Sequence, residues 1–337
     1  MLLHGVCSEK EPVQGAKSTI RVSVPSRIHC GLINENGIYG RVDGGIGFAV
    51  DHPRWIVDVG IDESSRPFPF TDEELSEARN VAVAGFGDVL VGRDITVKSA
   101  MCVPAHIGLG SKTALQMGVA RAVCALTGLE IDDYEIALRM RRGGTSGVGI
   151  QTALRGGFVW DAGHSLADKR AFGPSSAQLA PPARTLARYD CTWLQVVHFR
   201  FCAEGIHGQQ ERDLFSKACP VDAGESLRIL QAVAWGVAPA VLEQDESRLQ
   251  SALSEIQSLG FKRHEWDIQD EITKAFRHYW NTLRQPEALG ISSVGPTLYI
   301  LTSRPDTILE FVRAFGQEPV HCEIATIDNS GMRTTLV

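Results

Sequence analysis

The stretch PAHIGLGSKTAL, residues 104–115, constrains the fold more than any other part of this chain. It joins two segments of different period. Ahead of it, RDITVKSAM (93–101) reads as a strand. Behind it, Leu115, Gly118, Val119, Ala122, Val123 and Leu126 recur at spacings of three and four. That is the core-facing stripe of a helix over Thr113–Leu126, with Gly128 as its stop. A helix N-terminus carries unpaired N–H groups and partial positive charge, so the junction favours an anion. Gly108 and Gly110 let the backbone approach it closely, Ser111 and Thr113 offer hydroxyls, and Lys112 adds a full charge. The spacing fits neither G-x-x-x-x-G-K-[ST] nor G-x-G-x-x-G. A plain helix cap is the other reading of the same residues.

Two further glycine-rich loops accompany it. RRGGTSGVGI (141–150) follows a helix in DDYEIALRM and includes Gly144, Thr145 and Ser146; a helix C-cap accounts for one arginine but not for GGTSGVG. GISSVGPTLYI (290–300) places Ser292 and Ser293 ahead of a strand, where a tight turn is the simpler reading. Three such loops exceed what turns alone require.

Elsewhere, Ile20, Val22 and Val24 alternate with Arg21 and Ser23 in a half-buried strand that Pro25 interrupts. NENGIYGRVDGGIG (34–47) reads as a hairpin or loop, and RWIVDVGI (54–61) as a strand. Thr71 with Glu74 three residues on predicts a capping box for a helix over 71–86. Three of the fifteen prolines fall in 173–190, where a domain junction is expected. The organisation predicted is a flexible arm at 1–18, a phosphate-binding domain at 19–180 and a C-terminal domain at 190–337, with the active site between the two. Strands mixed with helix pairs, without strict βαβ alternation, argue for an α+β fold.

Composition narrows the function classes. Lys plus Arg is 33 and Asp plus Glu is 40, a net charge of -7, which argues against nucleic-acid binding. No apolar run reaches the length of a membrane span, and the N-terminus lacks the pattern of a secretory signal. The eight cysteines form no C-x-x-C pair, consistent with reduced, buried thiols in a cytoplasmic protein.

PAHIGLGSKTA resembles the P-x-x-x-G-L-G-S-S-x-A phosphate loop of the small-molecule kinases typified by galactokinase, homoserine kinase, mevalonate kinase and phosphomevalonate kinase; it departs at the second serine, here Lys112. That superfamily implies a two-domain α+β fold with a left-handed βαβ unit in the first domain. Its second motif, G-T-P-S-G-x-D, ends in the usual base for the acceptor hydroxyl; aligned on Ser146 and Gly147, that place is Gly149. Within the superfamily, RIHCGLI, NGIYGRVDGGIGFAVDHP, RRGGTSGVGI, GGFVWDAGH, EGIHGQQER and SSVGPTLY, in that order, are similar to the β-ribofuranosylaminobenzene 5′-phosphate synthases. The blocks run from residue 27 to about 300.

That resemblance implies a decarboxylating C-ribosyltransferase. Its substrates would be phosphoribosyl pyrophosphate and a small aromatic or heteroaromatic carboxylate, a benzoate as in methanopterin biosynthesis or a pyrazole carboxylate as in C-nucleoside antibiotic biosynthesis. Mg²⁺ is the implied cofactor and a homodimer the expected assembly. The residues placed at the pyrophosphate and ribose phosphate are Gly108, Gly110, Ser111, Lys112, Thr113, Gly144, Thr145 and Ser146. Arg27 and Arg41 are candidates for the acceptor carboxylate, because guanidinium groups bind carboxylates in pairs of hydrogen bonds. Asp43 is a candidate for Mg²⁺ or the ribose hydroxyls, or a turn-stabilising aspartate. His29, on the same strand face as Arg27, is a proton donor or a packed histidine. Lys112, Asp43 and His29 form the candidate catalytic set, with Glu204, His207, Ser292 and Ser293 as secondary contacts. The competing activity is an ATP-dependent kinase using another base.

Overall fold

The computed structural model describes residues 19–62, 72–174, 180–203 and 205–337; the expected arm at 1–18 lies outside them. Two long antiparallel strands, β1 (Thr19–Asn34) and β2 (Arg41–Asp62), open the chain, with a short 3-10 turn at Ile38–Gly40 between them. The alternation at the start of β1 does what its period implies: Val22 and Val24 are buried, while Arg21 points out to a bidentate pair with Asp58, 2.7 Å for each bond. Pro25 does not end the strand. The β1–β2 register shifts between Pro25 and Ser26, a bulge that carries the ladder past a residue with no N–H. RVDGGIG likewise belongs to β2 rather than to a loop, so the turn of this hairpin is confined to residues 35–40.

Two helices follow, α1 (Glu73–Gly85) and α2 (Gly87–Leu90). The N-cap of α1 is Asp72, whose carboxylate accepts from Glu74 N at 2.9 Å and Leu75 N at 3.2 Å. Thr71, the expected cap, lies outside the described residues. Next come β3 (Asp94–Met101), α3 (Ser111–Thr127), α4 (Asp133–Arg139) and α5 (Val148–Arg155). The last of these begins inside the stretch read as a glycine-rich loop at 141–150: from Val148 onward it is helix. Strands β4 (Phe158–Asp161), β5 (His164–Ser165) and β6 (Thr185–Tyr189) complete this part.

The second sheet is built from β7 (Gln195–Arg200), β8 (Gly290–Ile291), β9 (Leu298–Thr302) and β10 (His321–Thr326), in the order β10-β7-β9-β8 and antiparallel throughout. Helices α6 (Gln209–Ala218), α7 (Ala223–Gln231), α8 (Ala238–Glu243), α9 (Glu246–Ser258), α10 (Gly260–Asp267) and α11 (Glu271–Leu283) come between β7 and β8, and α12 (Pro305–Ala314) follows β9. The final strand, β11 (Arg333–Leu336), returns to pair with β1, so the first sheet runs β11-β1-β2-β4-β6, with β3 and β5 also on β2. Both β6 and β11 therefore lie in the first sheet. This is the mixed α+β architecture expected.

Helix α3 is seated on the first sheet by its apolar stripe, and Gly118 sets how closely. A β-carbon built there would come 2.7 Å from Val24 Cγ2. Gly118→Val should therefore overpack this contact and cost roughly 1–3 kcal/mol. Chemical denaturation should show a lowered midpoint; an unchanged midpoint would mean α3 does not rest on β1 as described.

Candidate active site

A cleft of about 880 Å³ opens in front of the N-terminus of α3. The 104–110 loop that forms its wall is held by two other segments. Arg27 on β1 donates its backbone N–H to Leu109 O at 3.1 Å and its Nη1 to Gly108 O at 2.5 Å. Ser292, after β8, donates its hydroxyl to the same Gly108 carbonyl at 2.7 Å and accepts from His29 N at 3.0 Å. Ser293 N closes the circuit on His29 O at 3.1 Å. Gly108 is required here: its φ is +83°, and a β-carbon would lie 2.4 Å from Ser292 O. The three loops singled out by composition thus meet at one place. Thr145 and Ser146 from the second loop line the cleft, as does Ser293 from the third.

The polar groups at this wall are not equivalent. Ser111 is buried; its hydroxyl donates to Val103 O at 2.8 Å and lies 3.2 Å from Glu74 Oε1. Lys112 is half exposed and pairs with Glu77 at 2.5 Å. Thr113 Oγ1 accepts from Arg142 Nη2 at 2.6 Å. Burial lowers the Arg142 guanidinium from its ordinary value and brings Arg27 down to about 10, so both remain cationic at neutral pH. Arg27, Lys112 and Arg142 therefore ring the N-terminus of α3. His29 is buried beside them, and burial, Arg27 and Lys262 hold its pKa well below the usual histidine range. That direction favours the neutral imidazole at this position. Nε2 lies 3.3 Å from Ser146 Oγ, which donates to Asp161 Oδ2 at 2.8 Å.

Two expected site residues lie elsewhere. Arg41 is exposed at the start of β2, and its guanidinium is occupied by the carbonyls of Ala162 and Gly163 at 2.9–3.1 Å. Asp43 is buried behind the cleft. Lys169 Nζ reaches its two oxygens at 2.8 and 3.0 Å, and His164 Nδ1 lies 2.6 Å from Oδ2. Its carboxylate is taken up by this buried ion pair and does not line the cleft. Gly144 is also buried and off the cleft wall, whereas His207 is on it, its ring edge-on to His106 at 4.1 Å. Glu204 lies outside the described residues.

Comparisons with known proteins identify the family. Over 283 residues the chain is 37% identical to the beta-ribofuranosylphenol 5'-phosphate synthase of Archaeoglobus fulgidus, covering 84% of this chain and 88% of that one. Over 318 residues it is 36% identical to the Methanocaldococcus jannaschii enzyme of the same name, covering 90% and 95%. The chain belongs to the beta-ribofuranosylphenol 5'-phosphate synthase family. No family model matches it. Among solved structures, homoserine kinase from Cytophaga hutchinsonii superposes with a TM-score of 0.67 at 14% identity, over 97% of this chain and all of that one. Mevalonate diphosphate decarboxylase from Staphylococcus aureus gives 0.62 at 11%, over 95% and 98%. At these identities the likeness is one of fold, and it places this synthase family on the kinase-like scaffold that the phosphate loop implied.

Several cleft residues of this family member escaped the sequence reading. Arg142 was read only as a candidate for solvent at a helix end; the turn at 143–147 instead sends it back over α3. Glu265 and Lys262 form a buried pair at 2.7 Å, one helical turn apart on α10, with burial raising Glu265 to about 7. Their i,i+3 spacing was visible, but nothing in sequence placed α10 at the cleft. Asp161, in GGFVWDAGH, lies behind the second loop. It caps α5 by accepting from Gly147 N and Val148 N at 2.9 and 3.2 Å, and burial raises it to about 6.

The structural assignment of Asp43 is testable. Lys169→Met removes the cation from a buried carboxylate and should cost roughly 3–5 kcal/mol. Equilibrium unfolding should report that loss, whereas a stability unchanged from the parent would return Asp43 to the pool of free ligands.

Proposed function

We propose that this protein is a decarboxylating C-ribosyltransferase that joins phosphoribosyl pyrophosphate to an aromatic carboxylate, with a hydroxybenzoate favoured among acceptors by the name of its relatives. The observation that carries the reading is the pairing of a cationic helix N-terminus with a missing base. Arg27, Lys112 and Arg142 surround the first turn of α3, which suits a leaving diphosphate. At the place of the kinase base stands Gly149, whose built β-carbon lies 3.5 Å from Thr113 Cγ2. No carboxylate at that position reaches the first turn of α3 to take a proton from an acceptor hydroxyl.

The chemistry needs none. The C1′–oxygen bond breaks and its electron pair leaves on pyrophosphate, giving C1′ oxocarbenium character. The ring carbon bearing the carboxylate then bonds to C1′. Loss of carbon dioxide returns its bonding electrons to the ring, so aromaticity is restored without removing a ring proton. Lys112 and Arg142 would hold the diphosphate and Arg27 the acceptor carboxylate, while the neutral His29–Ser146 pair would meet the ribose hydroxyls. A metal suits the same place: Ser111 Oγ and Glu74 Oε1, 3.2 Å apart, are hard oxygen donors of the kind Mg²⁺ takes. When bound there it would stabilise charge on the leaving group. The protein is expected to act in the cytoplasm, as a homodimer.

The test is to incubate the protein with Mg²⁺ and either phosphoribosyl pyrophosphate or ATP, together with a panel of benzoates and pyrazole carboxylates. Pyrophosphate and carbon dioxide should appear in equal amounts with phosphoribosyl pyrophosphate. ADP formation without pyrophosphate would overturn the reading. Lys112→Ala should raise KM for the sugar donor roughly 10–100-fold, the worth of a hydrogen bond to a charged group.

A further inference from the structure

Away from the cleft, the second sheet carries a group of metal-ligating side chains with no role in the proposed reaction. On β10, His321 and Glu323 are two residues apart and so project from the same face. On β7, His198 stands directly opposite Glu323 in the ladder, and His321 lies one diagonal step away, opposite Arg200. Glu323 Oε2 is 3.4 Å from His321 Nε2 and 3.8 Å from His198 Nε2. The three ligand atoms all lie within 4.8 Å of one another. The two imidazoles stack with centroids 5.3 Å apart.

His198 is the informative member. It is fully buried, and neither of its ring nitrogens has a hydrogen-bond partner. A buried imidazole without partners is costly, because its donor and acceptor have both lost water. The His52 backbone faces the ring, and the charged side chains around it are engaged elsewhere. Arg200, the nearest cation on β7, is turned to the carbonyls of Cys202 and Ala203 at 2.9 and 3.0 Å. Asp51 on β2 spends both oxygens on Thr326, at 2.8 Å each, with His52 beside it at 3.4 Å. His321 and Glu323 are half-buried, leaving the group reachable from solvent.

We propose that His198, His321 and Glu323 form a binding site for a divalent transition-metal ion of the zinc class. Ligand atoms around tetrahedral zinc sit roughly 3.4 Å apart, given bonds of about 2.0–2.1 Å. The two separations from Glu323, 3.4 and 3.8 Å, lie at and slightly above that value, and rotation of the half-buried side chains closes the rest. Two imidazoles and one carboxylate favour zinc, cobalt or nickel over magnesium or calcium, which take oxygen donors. A fourth position remains open to water. The ion would give buried His198 the partner it lacks and tie β7 to β10 beside the Asp51–Thr326 contact that joins the two sheets.

The experiment uses the full-length chain without an affinity tag, stripped with a chelator and titrated with Zn²⁺ by calorimetry and with Co²⁺ by absorption. The background is Cys322→Ser, which removes the exposed thiol between His321 and Glu323. The proposal predicts one ion per chain, a cobalt spectrum without thiolate charge-transfer bands, and a melting temperature that rises with Zn²⁺. His321→Ala and Glu323→Gln sit on half-buried positions and should fold normally. Each should weaken Zn²⁺ binding by at least about tenfold, the lower end of what losing an outer-shell partner costs. Absence of stoichiometric binding, or binding unaffected by both substitutions, would overturn the proposal.

Discussion

The site depends on how the Gly108 carbonyl is held. It accepts from Arg27 Nη1 and from Ser292 Oγ, while Ser292 also accepts from His29 N. One peptide unit of the phosphate loop is thereby fixed against β1 on one side and against the loop after β8 on the other. The consequence is electrostatic. The first-turn N–H groups of α3 face the cleft, and Arg27 lies over Gly110, where a β-carbon would meet its Cγ at 3.1 Å. Preorganised donors of this kind cost no reorganisation when charge develops on a leaving group.

The second support is buried charge behind the loop. Asp43, Lys169 and His164 form a network with Thr145 and the carbonyls of Gly143 and Gly173. This holds the 143–147 turn, which in turn positions Arg142 on Thr113 and Ser146 beside His29. The loop is polar because it must fold over buried charge as well as face a ligand, and the two demands fall on neighbouring residues.

The phosphate loop was legible in sequence because its signal is local: two glycines, a hydroxyl and an apolar period in one stretch. The end of α3 at Gly128 was equally local. Asp43 and Arg41 sit off the cleft wall because their surroundings come from residues more than 120 positions away, Ala162 to Lys169, which sequence spacing does not reveal. Pro25 and the glycines of RVDGGIG read as breaks, but the long β1–β2 hairpin absorbs them through bulges and close packing. Gly47 is the clearest instance: a β-carbon there would lie 2.3 Å from Ile28 O. Arg142 and Glu265, the latter paired with Lys262, join the cleft only through tertiary packing, so local pattern offered no route to them.

The account rests on a carbon–carbon bond forming at C1′ as pyrophosphate leaves the cradle of α3. The direct measurement is carbon NMR of the product made from phosphoribosyl pyrophosphate labelled with ¹³C at C1 and an acceptor labelled with ¹³C in the ring. The prediction is a one-bond coupling between C1′ and the ring carbon that carried the carboxylate, with that carboxylate gone. A product in which C1′ is joined to the acceptor through oxygen, or an acceptor that has gained only a phosphate, would contradict it.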